Sequence, residues 1–132
     1  MSMIAGAQDS IVRASAVLTT SYVAGSVISH RGNKTLTLRC DFTKGNSDGF
    51  GFKIETSQDQ ITWYQEQQYS QAGGVTTHSD NVHERSAAAN CNVKIDVYDV
   101  IGNYVRVSFK ALGADATGSS LGVKATSSCL ER

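Results

Sequence analysis

Thr35-Leu36-Thr37-Leu38-Arg39-Cys40-Asp41-Phe42 is the stretch on which the fold class turns. Leu36, Leu38, Cys40 and Phe42 fall at every second position, and Thr37, Arg39 and Asp41 point the other way. A β-strand sends successive side chains to opposite faces, so the spacing predicts a strand with one face in a core and the other in water. Downstream, Lys44-Gly45-Asn46-Ser47-Asp48-Gly49 has the composition of a turn: glycine supplies positive φ, and Asn, Asp and Ser make local side-chain turns. Phe50, Phe52, Ile54 and Thr56 then alternate with Gly51, Lys53 and Glu55. A turn over residues 56–60 leads into Ile61-Thr62-Trp63-Tyr64-Gln65-Glu66, where Trp63, the only tryptophan, is expected to plug the core.

The same period extends outward in both directions. Upstream, Val12, Ala14, Ala16 and Leu18 alternate with Arg13, Ser15 and Val17, and residues 22–28 form a second apolar segment. Downstream it recurs in Val93, Ile95 and Val97, in Val105, Val107, Phe109 and Ala111, and in Leu121, Val123 and Ala125. Residues 67–80 break the pattern around Gly73-Gly74 and read as a long loop, a feature that is usually functional. Within residues 82–90, Ala87-Ala88-Ala89 suits a helical turn as well as a strand. Seven or eight short strands at roughly 8 to 12 residue spacing predict an all-β, antiparallel two-sheet β-sandwich of jelly-roll-like form. At 132 residues the chain is expected to be one domain, with residues 1–10 as an N-terminal arm.

Twelve Lys and Arg balance twelve Asp and Glu, without the basic excess that neutralising phosphate requires, so nucleic acid is not an expected partner. No apolar run approaches the roughly 20 residues of a membrane span. The opening Met1-Ser2-Met3-Ile4-Ala5-Gly6-Ala7-Gln8 has neither the basic start nor the apolar middle of a secretory signal, which leads to an expected cytoplasmic origin. Cys40, Cys91 and Cys129 are odd in number and widely spaced, which signals neither a disulfide framework nor a zinc site.

The residues that could carry chemistry have simpler readings. The stretch from Gly25 to Thr35 has six residues between its glycines and Asn33 before Lys34, so it lacks the spacing of a phosphate loop. His78, Asp80, His83 and Glu84 are metal-ligand types, but an interval of five puts the two imidazoles on opposite faces of a strand, and they read as solvated loop residues. Glu55 and Glu66 adjoin one proposed hairpin and read as surface carboxylates. With no nucleophile elbow and no cysteine at a helix N-terminus, neither an enzyme nor a cofactor is expected. Tyr98 and Tyr104 fall in the polar register of their strands, and an exposed aromatic pair of this kind would serve a carbohydrate-binding module.

Several stretches together resemble small structural proteins of tailed-bacteriophage virions: Ile4 through Val12, Asp41-Phe42-Thr43-Lys44-Gly45, Ile54-Glu55-Thr56-Ser57-Gln58-Asp59 leading to Trp63-Tyr64-Gln65-Glu66, and Gly113 through Thr126. The resemblance covers nearly the whole chain through strand and turn patterns. It implies a capsid cement or decoration protein in the virion, bound in many copies to the major capsid protein or another virion protein, and self-associated. A tail or neck component is the alternative within that class. Candidate contact residues are Met1, Ile4 and Gln8 in the arm, Gln71 and Val75 in the 67–80 segment, and Tyr98 and Tyr104.

Overall fold

A computed structural model describes residues 9–129. Its strands are β1 (Asp9–Val17), β2 (Val23–Ala24), β3 (Ile28–Ser29), β4 (Thr35–Thr43), β5 (Gly49–Ser57), β6 (Tyr64–Gln65), β7 (Gln67–Ala72), β8 (Val75–Asp80), β9 (Val82–Ser86), β10 (Cys91–Val97), β11 (Tyr104–Ala111) and β12 (Ser120–Ser128). Sheet A runs β1-β12-β4-β10; sheet B runs β2-β11-β5-β6, with β3 also on β11 and β9 also on β5; β7 and β8 pair only with each other. All pairings are antiparallel.

The expected seven or eight strands become twelve segments for a simple reason. β2 and β3 lie along one flank of β11, and β6 and β9 along the outer flank of β5, so each pair is one broken strand position. Each sheet then has four positions, and the hairpin is additional. The chain changes sheet at every connection except those joining β2 to β3 and running from β5 through β6 to β9. That course is the double-sheet arrangement of a jelly roll.

One buried cluster fills the space between the sheets. Leu36, Leu38, Cys40 and Phe42 of β4, with Leu121, Val123 and Ala125 of β12, face Phe50, Phe52 and Ile54 of β5 and Val105, Val107, Phe109 and Ala111 of β11. The Phe42 and Phe50 rings meet across the gap at a centroid separation of 5.0 Å. Burying each such ring contributes roughly 1.5–3 kcal/mol.

Three expectations fail locally. Residues 67–80 are the β7–β8 hairpin, not a loop. Ala87-Ala88-Ala89 is neither helix nor strand but a bend after β9. In β1, Val12 is buried but Ala14 and Ala16 are exposed, because the pairing with β12 slips between Ile11 and Arg13 and again between Arg13 and Ala16. Arg13 satisfies carbonyls around these irregularities: its Nε donates to Leu121 O at 3.0 Å, and its Nη2 donates to Ala16 O at 3.1 Å and Val17 O at 2.7 Å.

His30 ties one end of the sandwich together. Its Nε2 donates to the carbonyl of Val100 at 2.7 Å, which leaves Nδ1 to accept from the Ser127 hydroxyl at 2.6 Å, and its backbone N–H donates to Asn103 O at 2.8 Å. The ring is fully buried, and burial holds its pKa below the ordinary imidazole value, opposed by the Val100 bond. Burial also lowers His83, which stacks on Phe52 at 4.6 Å and whose Nε2 has no partner among the described residues. The unfolded imidazoles bind a proton more readily than the folded ones. Their contribution to stability is therefore complete above about pH 6.5 and is lost as pH falls towards the lower folded values. Burial raises the pKa of the Glu66 carboxyl, which acts in the opposite sense. The informative comparison is thus between wild type and His30→Gln: over about pH 7 to 5, urea midpoints should fall more steeply for the wild type. Equal slopes would remove His30 from this role.

Candidate functional site

The outer face of sheet B gathers cations and aromatic rings. In β11 the outward register holds Tyr104, Arg106, Ser108 and Lys110, and in β5 it holds Gly51, Lys53 and Glu55, with Arg106 opposite Glu55 and Ser108 opposite Lys53. Arg106 donates to Glu55 Oε1 from Nε at 3.2 Å and from Nη2 at 3.0 Å, and its guanidinium carbon lies 4.4 Å from the centroid of the Trp63 ring. Lys53 Nζ and Lys110 Nζ each stand 4.9 Å from the centroid of the Tyr22 ring. Arg31 lies over Tyr104 and donates to its hydroxyl at 3.2 Å. Trp63 is consequently half-buried on the outside of sheet B and not in the core, because residues 58–63 bend back over the sheet.

Four cations on this face are set against two carboxylates, Glu55 and Glu84, the latter on β9 opposite Gly51. Glu84 also raises the pKa of the Tyr22 phenol, after the larger effect of burial. Among the described residues, neither Lys53 nor Lys110 forms an ion pair. A cation over a ring keeps most of its charge available while its position is fixed, so the rings hold the ammoniums rather than neutralise them.

The second feature is the β7–β8 hairpin, in which every residue of both strands is exposed. Gly73 and Gly74 form the turn with φ of 58° and 77°, the doubly positive pair that a two-residue hairpin turn requires. One face carries Gln67 bonded to Asp80 at 2.7 Å, Tyr69 opposite His78 with ring centroids 6.3 Å apart, and Gln71 bonded to Thr76 at 3.0 Å. The other carries Gln68 opposite Ser79, Ser70 opposite Thr77, and Ala72 opposite Val75. At the hairpin base a groove of about 730 Å³ is lined by Glu66, Gln68, Tyr69, Asn81, Tyr98 and Asp99, among others. Glu66 forms no side-chain hydrogen bond or ion pair among the described residues, and burial pushes its carboxyl above the usual range.

The sequence-derived candidates separate accordingly. Met1, Ile4 and Gln8 lie outside the described residues, and Asp9 and Ser10 of the expected arm open β1. Gln71 and Val75 are on the hairpin surface. Tyr98 and Tyr104 are each half-buried and do not form an exposed pair: Tyr98 lines the groove, and Tyr104 is engaged by Arg31. His78 and His83 do not converge, since one faces Tyr69 and the other stacks on Phe52. Among the described residues no group of three His, Cys, Asp or Glu side chains forms a metal cluster. Glu55 and Gln65 are cross-strand partners, so Glu66, the next residue along, belongs to the opposite register from Glu55. Burial pushes the Cys40 thiol up to about 12, which leaves it without thiolate character.

No family model matches the chain, and no curated protein matches it in sequence. Among solved structures it is similar to the SPBc2 prophage-derived protein YomS. The two share 13% identity over 92% of each chain, with a TM-score of 0.47.

Sequence reasoning missed the cation–aromatic face although its parts were in view. Arg106 and Lys110 share the outward register with Tyr104, but their partners Trp63 and Tyr22 come from loops whose course no periodicity encodes. Because Trp63 is the only tryptophan, its fluorescence reports the contact directly. Arg106→Ala should shift the emission to that of a more hydrated indole. A double-mutant cycle with Trp63→Leu should give a coupling of about 0.5–2 kcal/mol. An unchanged spectrum would show that the guanidinium does not cover the ring.

Proposed function

We propose that the chain is a non-enzymatic structural protein of a bacteriophage particle, a cement or decoration protein that attaches in many copies to the capsid surface and to its own neighbours. It would be made in the host cytoplasm and reside in the virion. The observation that carries this reading is the hairpin. A two-stranded hairpin exposed on both faces is marginal in water, and twelve residues so arranged add little to the stability of the isolated chain. Their place is in a contact. The jelly-roll course supports the reading by analogy, since it recurs in viral capsid domains, although one fold hosts many functions. Many weak contacts acting together suit attachment to a repeating surface.

A tail or neck position fits the same contact logic. A carbohydrate-binding module is favoured by one observation, the groove in which Tyr69 and Tyr98 stand beside amide and carboxylate groups. It predicts glycan binding that Tyr98→Ala removes.

Replacing residues 67–80 with a short glycine-containing turn tests the first reading. Unfolding free energy should change by no more than about 1 kcal/mol, while the solution mass by size-exclusion light scattering falls from an oligomer to a single chain. A collapse of stability on excision would make the hairpin part of the fold and sink the contact reading.

A further inference from the structure

The outer face of sheet B and the hairpin-base groove are complementary in charge. The face holds Arg31, Lys53, Arg106 and Lys110 against Glu55 and Glu84, an excess of two positive charges on a chain whose total is zero. The groove is lined by Glu66 and Asp99 with no Lys, Arg or His, and Asp80 stands next to it, bonded to Gln67. We propose that the outer face of sheet B docks onto the hairpin-base groove of a second copy of this chain, bringing the Lys53 and Lys110 ammoniums against Glu66.

Three observations point to this pairing. Lys53 and Lys110 have no ion pair among the described residues, yet both are positioned by one ring, Tyr22. Glu66 is a part-buried carboxylate that also lacks a charged partner among the described residues, and an approaching ammonium would supply one. The face is also rich in Arg, Trp and Tyr, the types that carry most binding energy where surfaces meet. A base- or sugar-stacking role fits less well, because these rings already have cations over them. The two patches differ, so the contact is heterologous and repeats from copy to copy, closing into a ring or extending along a surface.

This inference rests on the self-association in the reading above, and a charge exchange tests it separately. Solution mass is measured by light scattering for the wild type, for Lys53→Glu/Lys110→Glu and for Glu66→Lys. The ionic strengths are about 0.02 M and about 1 M, the second of which screens charges within a few ångströms. Glu66→Gln controls for misfolding, and circular dichroism confirms each fold. The wild type should associate at low salt and weaken at high salt. Each charge-reversed chain alone should associate at least about tenfold more weakly, and an equimolar mixture of the two should regain association, since the reversed face then meets the reversed groove. Unchanged association of Lys53→Glu/Lys110→Glu would overturn the docking. If hairpin excision abolishes association in the same experiment, the proposed function stands while this contact falls. A wild type that stays a single chain at both salts overturns it too, and retention of that chain on a sulfated polysaccharide column would reassign the face to an anionic polymer.

Discussion

The meeting of Phe42 on β4 with Phe50 on β5, across the space between the sheets, is the contact on which the rest of the structure depends. Only seven residues separate the two rings in sequence, so the chain must leave one sheet and enter the other within a single tight corner. Gly45 and Gly49 make that corner available, at φ of 55° and 140°. A Cβ on Gly49 would stand 2.1 Å from Arg85 O, and one on Gly45 2.3 Å from the Gly118 carbonyl carbon. The corner therefore brings β5 against β9 and packs its loop on the one before β12. With the two sheets held in this relation, β11 and β12 complete the core as the central strands beside β5 and β4.

Sheet A has two free edges among the described strands, β1 and β10, and they are treated differently. β1 is irregular, its register with β12 slipping twice, and an irregular edge strand of this kind pairs poorly with another strand. β10 keeps an unbroken register with β4 and places Lys94 and Asp96 on its outward face. The irregular β1 edge contrasts with two other exposed features of the fold. These are the outer face of sheet B and the β7–β8 hairpin. One is charged and ordered by aromatic rings, and the other is polar and wholly exposed.

Much of the fold was legible in the residues. The alternations in β4, β5, β11 and β12 each identified the inward side chains, because a pleated strand half in a core obeys a period of two whatever it pairs with. The hairpin carries one local signal, since two runs joined by Gly73-Gly74 can form a two-residue hairpin. In the sequence it nonetheless reads as a loop, because Gln, Ser and Thr on both faces give no hydrophobic alternation, and a strand that buries nothing leaves no such mark. Of the candidate contact residues, Gln71 and Val75 are on the exposed hairpin, and Tyr98 and Tyr104 are drawn into separate surroundings.

By itself the sequence determined the class of the fold, the inward and outward faces of its long strands, and the absence of any net charge to steer it towards a polyanion. Only the tertiary structure decided that neutrality is not uniform. Cations from β5, β11 and a loop are brought to one face, while carboxylates that follow β6 and β10 line another place. It also decided that Trp63 and Tyr22 lie outside sheet B, and that His30 closes an end of the sandwich through Val100 and Ser127. The physical reason is one of range. Alternation is set by neighbours two residues apart, whereas a charged face or a buried histidine's partners come from segments brought together only when the two sheets close on their shared core.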